Sequence, residues 1–295
     1  MHSLFLVNPL AGKVRNVGEV TSLIQSVYQD AGQSCEVQVL DFDHLDHTLR
    51  QAIEGPYARI FAVGGDGTIN AIGSRLVHSG KSFGIIPAGS GNGLGRHLKI
   101  PTHLARAIRM APYLRPLAID TGLFGTHPFI NLAGIGLDAQ VAYHFSLGKR
   151  RGLLPYVQHS AWSLLNRASL EVEIGTGDHW QHFGNVLGVT IANGTQWGFE
   201  AKIANGASLS DGLLDIRVIH RFPLIVVPPM LVRLFNGTLH HSPYITAFQA
   251  PKVRLRSSYS KWIQIDGEPQ KGHQEYEVQV QPRSLQLLVP QQGGV

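Results

Sequence analysis

The chain has 295 residues, 43% of them hydrophobic and 15% charged, with a formal net charge of +5; this excludes a disordered protein and allows two modest domains with filled cores. The single cysteine, Cys35, excludes an internal disulfide and fits a reducing compartment. The longest apolar stretch, 222–232, carries Pro223, Pro228 and Pro229 and is shorter than the roughly 20 helical residues that span a bilayer, so no membrane span is expected.

The first residues, Met1-His2-Ser3-Leu4-Phe5-Leu6-Val7, lack the basic start and apolar length of a signal peptide and predict the first strand of a cytoplasmic protein. The turn-like Asn8-Pro9-Leu10-Ala11-Gly12-Lys13 follows, then a helix around 20–28. Residues 35–40 alternate like a strand and 45–53 repeat at helical spacing. Residues 59–63 form a short apolar run the size of a buried parallel strand, and 69–77 predict a helix. Another strand is expected at 82–86. This alternation argues for a parallel sheet with right-handed crossovers.

Two glycine-rich turns follow successive strands: Gly64-Gly65-Asp66-Gly67-Thr68 and Pro87-Ala88-Gly89-Ser90-Gly91-Asn92. Their backbones can approach a ligand closely, and the first N–H groups of a following helix lack partners, so each suits a phosphate. Asp66 then needs a divalent cation between carboxylate and phosphate, or a role in orienting neighbouring loops; the plain alternative is a helix N-cap in a tight turn. Neither loop matches the dinucleotide fingerprint or the phosphate loop that ends in Gly-Lys-Ser/Thr.

After Pro116 the texture changes. Residues 129–132, 170–174, 186–192, 214–218, 253–256 and 262–265 read as strands of an antiparallel sandwich, with helices at 156–165 and 224–234. The expected division is an α/β domain over 1–120 and a β-sandwich from 121. The tail from Gln291 to Val295 reads as frayed. The basic residues are scattered, and the one compact cluster, Lys149-Arg150-Arg151, reads as a solvated loop. Nucleic acid is therefore disfavoured as a partner, while anionic partners such as nucleotide phosphates or acidic lipids fit the net charge. The histidines have no spacing that compels a metal site.

Asn8-Pro9 with Gly12, the two glycine loops, Ser210-Asp211-Gly212-Leu213-Leu214-Asp215 and Ile265-Asp266-Gly267-Glu268 occur in the order seen in the diacylglycerol kinase catalytic-domain family. The sequence resembles its compact bacterial members along nearly the whole chain. The resemblance implies ATP-dependent phosphorylation of a lipid hydroxyl, with the nucleotide between a Rossmann-like, NAD-kinase-like α/β domain and a β-sandwich; it also implies that the last segment, 282–295, returns to the first domain, which leaves the sandwich 121–281. It implies phosphate binding by Gly64, Gly65, Gly67, Thr68, Gly89, Ser90, Gly91 and Asn92, a nucleotide contact from Asn8, Mg²⁺ held by Asp66, and Glu268 as the base. A second, structural Mg²⁺ would sit on Ser208, Asp211 and the Leu213 carbonyl. Gly93 departs from the pattern, since many members carry Asp there.

Read without the family, Asp-Gly between apolar strands is a hairpin signal, and the acidic turn at 211–215 is a solvated loop. The hairpin and the base are compatible. Rival readings are a kinase of a soluble acceptor, notably NAD, and a catalytically idle nucleotide or lipid sensor. The expected partners are ATP and a membrane-embedded lipid reached by peripheral contact; the lipid's identity and the oligomeric state, a homodimer included, are left open.

Overall fold

The computed structural model describes residues 2–147, 169–197, 200–258 and 261–291. The expected helix at 156–165, the cluster Lys149-Arg150-Arg151 and residues 292–295 lie outside them. The chain divides into two units, Met1–Ile119 with Arg283–Val295, and Asp120–Pro282.

In the first unit the apolar runs become β1 (His2–Val7), β3 (Arg59–Gly64) and β4 (Ser82–Pro87), buried along nearly their whole length, whereas β2 (Ser34–Val39) alternates and lies at the edge. All pair in parallel in the order β2-β1-β3-β4, and Gln286 and Leu287 of the last strand run parallel to β4. Helices α1 (Val17–Asp30), α2 (Leu45–Glu54) and α3 (Asp66–Leu76) make the crossovers. Asn16 caps α1 by accepting from the Gly18 and Glu19 amides. The core is aromatic at its centre: Phe5 stacks on Phe61 at 4.4 Å and meets Tyr28 edge-on at 5.1 Å. Two short helices follow, α4 (Gly93–His97) and α5 (Leu104–Met110).

The second unit is the expected antiparallel sandwich. Its strands begin with β5 (Arg115–Phe124), shared with the first unit, β6 (His127–Phe129) and β7 (Leu132–Gly136). The single strand expected at 129–132 is thus two strands, parted at Ile130 and Asn131. After α6 (Leu137–Leu147) come β8 (Leu170–Thr176), β9 (His179–Ala192) and β10 (Leu214–His220). The helix expected over 224–234 begins as a 3-10 turn, Leu224–Val226, and continues as α7 (Val227–Asn236), whose first turn accepts Pro228 and Pro229 because amides there have no helical partner. The last strands are β11 (Ile245–Ala250), β12 (Lys252–Ser257), β13 (Trp262–Ile265), β14 (Glu268–Lys271) and β15 (Glu275–Val289).

Strand β9 belongs to both layers. Its first half pairs with β8, its second half with β7 and β10, and Asn185 between them has φ +57°. Between the layers lie Phe124, Phe129, Val172, Val189, Ile216 and Leu255 with their neighbours. A second cluster, including Ile203, Phe222, Met230 and Leu239, fills the space under α7.

Candidate active site

The strand order 2-1-3-4 reverses direction between β1 and β3. Open parallel sheets bind ligands there, outside the carboxyl ends of the strands. Asn8 follows β1, the Gly64–Thr68 loop follows β3, and the Gly89–Asn92 loop follows β4. The structure brings these three together. The Asn8 Nδ2 amide donates to Thr68 Oγ1 at 2.8 Å, and the Asn8 N–H donates to the Val63 carbonyl at 3.0 Å. The Ala88 N–H reaches the Gly64 carbonyl at 2.7 Å, so the two glycine loops lie against each other. Glycine is required at the contact: a Cβ on Gly89 would stand 2.6 Å from the Gly65 Cα. Asn92 closes its own loop, accepting from the Gly89 N–H at 3.0 Å and donating to the Gly89 carbonyl at 2.8 Å.

Asp66 opens α3, and its carboxylate reaches the second loop. Oδ2 accepts from the Asn92 N–H and Oδ1 from the Gly93 N–H, both at 2.7 Å. The loop-orienting role open to Asp66 is thus occupied, and its capping acts on α4. Burial pushes the Asp66 carboxyl above its ordinary value, against the amides of Gly93 and Asn92 and the nearby Arg96 charge. Gly93, where many family members carry Asp, is buried with its N–H on Asp66.

Two cations beside these loops escaped the sequence reading. Arg96 Nε donates to the Gly91 carbonyl at 3.1 Å. The Lys13 N–H donates to the Ala88 carbonyl at 3.1 Å, and its Nζ to the Thr102 carbonyl at 2.7 Å. Desolvation, with the Arg96 charge, lowers the Lys13 pKa. Lone basic residues in a turn and a short helix carry no sequence signal; the charge converging on one loop appears only when the loops pack. Bare glycine backbone, the α3 N-terminus and two flanking cations form a donor set that fits nucleotide phosphates.

The remaining expected residues lie in the second unit. Asp266 and Gly267, with φ +48° and +88°, form the two-residue turn between β13 and β14, so the hairpin is real and Glu268 is its first residue on the far side, exposed. The Asp266 carboxylate accepts three backbone N–H groups, from Ile130 to Oδ2 and from Asn131 and Leu132 to Oδ1, each at 2.8 Å. Its own N–H donates to the Leu132 carbonyl at 2.8 Å. This clamp is why the chain breaks between β6 and β7.

In the acidic turn, Asp211 Oδ1 accepts from the Leu213 N–H at 3.0 Å, Ser208 Oγ accepts from the Ser210 N–H at 3.3 Å, and buried Asp120 accepts from the Gly212 N–H at 2.8 Å. Among the described residues no three His, Cys, Asp or Glu side chains gather as a metal site. The expected set of hydroxyl, exposed carboxylate and carbonyl is all hard oxygen and fits a partly hydrated Mg²⁺.

The family model for the diacylglycerol kinase catalytic domain matches residues 2–123, and that for the YegS C-terminal NAD kinase beta sandwich-like domain matches residues 131–289. The chain belongs to the diacylglycerol kinase catalytic-domain family. Within this family, a "probable lipid kinase YegS-like" protein of Pseudomonas putida is 29% identical over 288 residues, covering 95% of this chain and 94% of that protein. A protein of the same description from Chromohalobacter salexigens is 28% identical over 291 residues, covering 96% and 92%. The crystal structure of a diacylglycerol kinase from Bacillus anthracis str. Sterne superposes with a TM-score of 0.77 at 18% identity, over 98% of this chain and 97% of that one, and shares its fold. Membership in the diacylglycerol kinase family supports a kinase, and ATP use follows from it. Among the described residues no helix is long and apolar enough to cross a membrane.

Proposed function

We propose that the protein transfers the γ-phosphate of ATP to the hydroxyl of a diacylglycerol- or sphingosine-type lipid, working in the cytoplasm at a membrane surface. The observation that carries this reading is the joining of three loops at the β1/β3 reversal through Asn8–Thr68, Gly65–Gly89 and Asp66–Asn92. Phosphoryl transfer asks for positioned phosphates and an aligned hydroxyl more than for covalent chemistry. The amides of Gly65, Gly67, Thr68, Gly89, Ser90 and Gly91, with the Thr68 and Ser90 hydroxyls, hold the phosphates, and Asn8 orients the nucleotide. Lys13 and Arg96 supply positive charge beside them. Asp66, with oxygen lone pairs left beyond those that accept the Asn92 and Gly93 amides, would hold Mg²⁺, which would supply positive charge at the nucleotide phosphates. Glu268 takes the proton of the attacking hydroxyl as the new P–O bond forms and ADP leaves. Ser208, Asp211 and the Leu213 carbonyl hold a second, structural cation.

The test is incubation of the protein with radiolabelled ATP and Mg²⁺ and separate pools of diacylglycerol, sphingosine-type lipid, phosphatidylglycerol and NAD. Label in one of the first two pools is the expected result. Label in NAD alone would make it a soluble-acceptor kinase, and ATP binding without label in any pool would make it a sensor.

A further inference from the structure

Ten large hydrophobic side chains stand exposed among the described residues, and five fall within twelve consecutive positions: Leu224, Ile225, Leu231, Val232 and Phe235. They lie on the 3-10 turn Leu224–Val226 and on α7. With exposed Pro228 they follow the helical period and make one continuous stripe, of which Ile225 is 85% and Val232 64% exposed. The opposite stripe, Val226, Val227, Met230 and Leu234, packs into the core beneath. A helix apolar on both sides suits burial, yet this one has solvent on its outer face. Contiguous exposed apolar surface of this kind marks an interaction site.

Charge selects the occupant. From 221 to 244 the chain has no Asp or Glu, while exposed Arg221 precedes the stripe and half-buried Arg233 follows Val232 on α7. A second copy of this chain meeting it face to face would bring the same guanidinium groups together, whereas an anionic lipid surface complements them. Ten helical residues extend about 15 Å, half the roughly 30 Å hydrocarbon thickness of a bilayer, so the helix can only lie in the interface plane.

We propose that this stripe is the docking surface for an anionic phospholipid bilayer. Leu224, Ile225, Leu231, Val232 and Phe235 enter the boundary between headgroups and acyl chains, and Arg221 and Arg233 meet lipid phosphates. The inference rests on the lipid-acceptor reading for its biological sense, but binding is measured without ATP or acceptor, so the two can fail separately.

The experiment is cosedimentation of the full chain with vesicles of phosphatidylglycerol and phosphatidylcholine in equal parts, and with phosphatidylcholine alone. The proteins compared are the wild type, the double variant Ile225→Glu, Val232→Glu, and the double variant Arg221→Gln, Arg233→Gln. The glutamate variant should lose at least tenfold in partition onto the anionic vesicles. The glutamine variant should lose severalfold, and the neutral vesicles should bind the wild type less well. Both glutamates replace exposed side chains, so unchanged circular dichroism and melting are expected. Independently, Cys35→Ser, Ile225→Cys carrying an environment-sensitive fluorophore should shift to the blue when anionic vesicles are added. Equal partition of wild type and glutamate variant, or a label that does not respond, would overturn the proposal. So would a wild-type dimer that the glutamates convert to monomer, since the stripe would then face a second copy.

Discussion

Asp66 and Asn92 are tied together 26 residues apart, the Asn92 N–H donating to Asp66 Oδ2 at 2.7 Å. With the Gly93 N–H on Oδ1, one carboxylate begins α3 and caps the start of α4. This acidic side chain adds a second tie between the two glycine loops, beside the Ala88 N–H to Gly64 carbonyl bond.

Asp66→Asn keeps the shape but must turn an NH₂ group toward one of two N–H donors. Stability should fall by about 1–3 kcal/mol, the range for a buried donor left without an acceptor. Turnover should fall by about 3 kcal/mol of transition-state stabilisation or more, as for other electrostatic groups at reacting phosphates and carbonyls. Calorimetry and kcat at saturating ATP and Mg²⁺ test both. A near-normal kcat would remove Asp66 from the machinery.

Glu268→Gln should slow label transfer to the productive lipid by roughly 10² to 10⁴, the reach of general-base catalysis, with ATP affinity unchanged. Single-turnover rates together with nucleotide-binding titrations separate chemistry from binding. A variant as fast as the wild type would leave Glu268 as a hairpin residue and nothing more.

Asp266→Ala strips the acceptor from the Ile130, Asn131 and Leu132 amides. A loss of about 2–4 kcal/mol of stability is expected, since partly buried donors are left unmatched. Because the clamp fixes the hairpin that carries Glu268, kcat should also fall while the KM for ATP stays constant. Asp266→Asn, which retains one carbonyl oxygen, should recover part of both. If kcat is untouched in folded Asp266→Ala, the clamp serves structure alone.

The pH dependence of stability has a separate source in Asp138 at the start of α6. It is buried and takes the Thr190 hydroxyl hydrogen bond; a Cβ on Gly134 would lie 2.8 Å from its Oδ2. Burial, outweighing the hydrogen bonds from Thr190, its own backbone and Trp197, pushes its pKa up to about 7 from an ordinary 3.8. The folded chain therefore keeps a proton that the unfolded chain releases above about pH 4. The associated stability is fully present only below the unfolded value of 3.8 and is lost as pH rises from there toward 7, a change of order a few kcal/mol. Asp138→Asn, always neutral, should flatten most of that slope in urea melts between about pH 4 and pH 8; the raised Asp66 acts in the same direction and the lowered His97 in the opposite one. A slope identical to the wild type would assign the titration elsewhere.

Mg²⁺ should raise the melting temperature of the wild type if Ser208, Asp211 and the Leu213 carbonyl hold a structural cation, because a ligand confined to the folded state stabilises it. Asp211→Ala should abolish that rise while Asp66→Asn retains it. Equal Mg²⁺ shifts in wild type and Asp211→Ala would refute the site.

How much of this was legible in the sequence follows from where each signal resides. The strands β1, β3 and β4 are buried on both faces, so they read as plain apolar runs, and the glycine loops after them announce close backbone approach. Helix α4 did not, because Gly93-Leu94-Gly95 is a poor helix former held in place by Asp66. The second task of Asp266 was invisible for another reason: its acceptors serve amides about 135 residues away, which leave no trace in local composition. The interruption at Ile130 and Asn131 was missed with it, since apolar residues predict a continuous strand wherever no partner is known. Lys13 and Arg96 belong to the same class.

Strand β15 has a consequence for how the protein is made. The open side of β4 is covered by Gln286 and Leu287, which leave the ribosome after the entire second unit. With about 200 residues between β4 and its partner and elongation at ~5–20 residues per second, that strand waits on the order of 10–40 s with its amides and carbonyls unpaired on one side. An unpaired parallel edge of Phe83, Ile85 and Ile86 is a template for another nascent chain. Translation speed and chaperone supply should therefore govern the yield of this protein more strongly than the stability of its finished core.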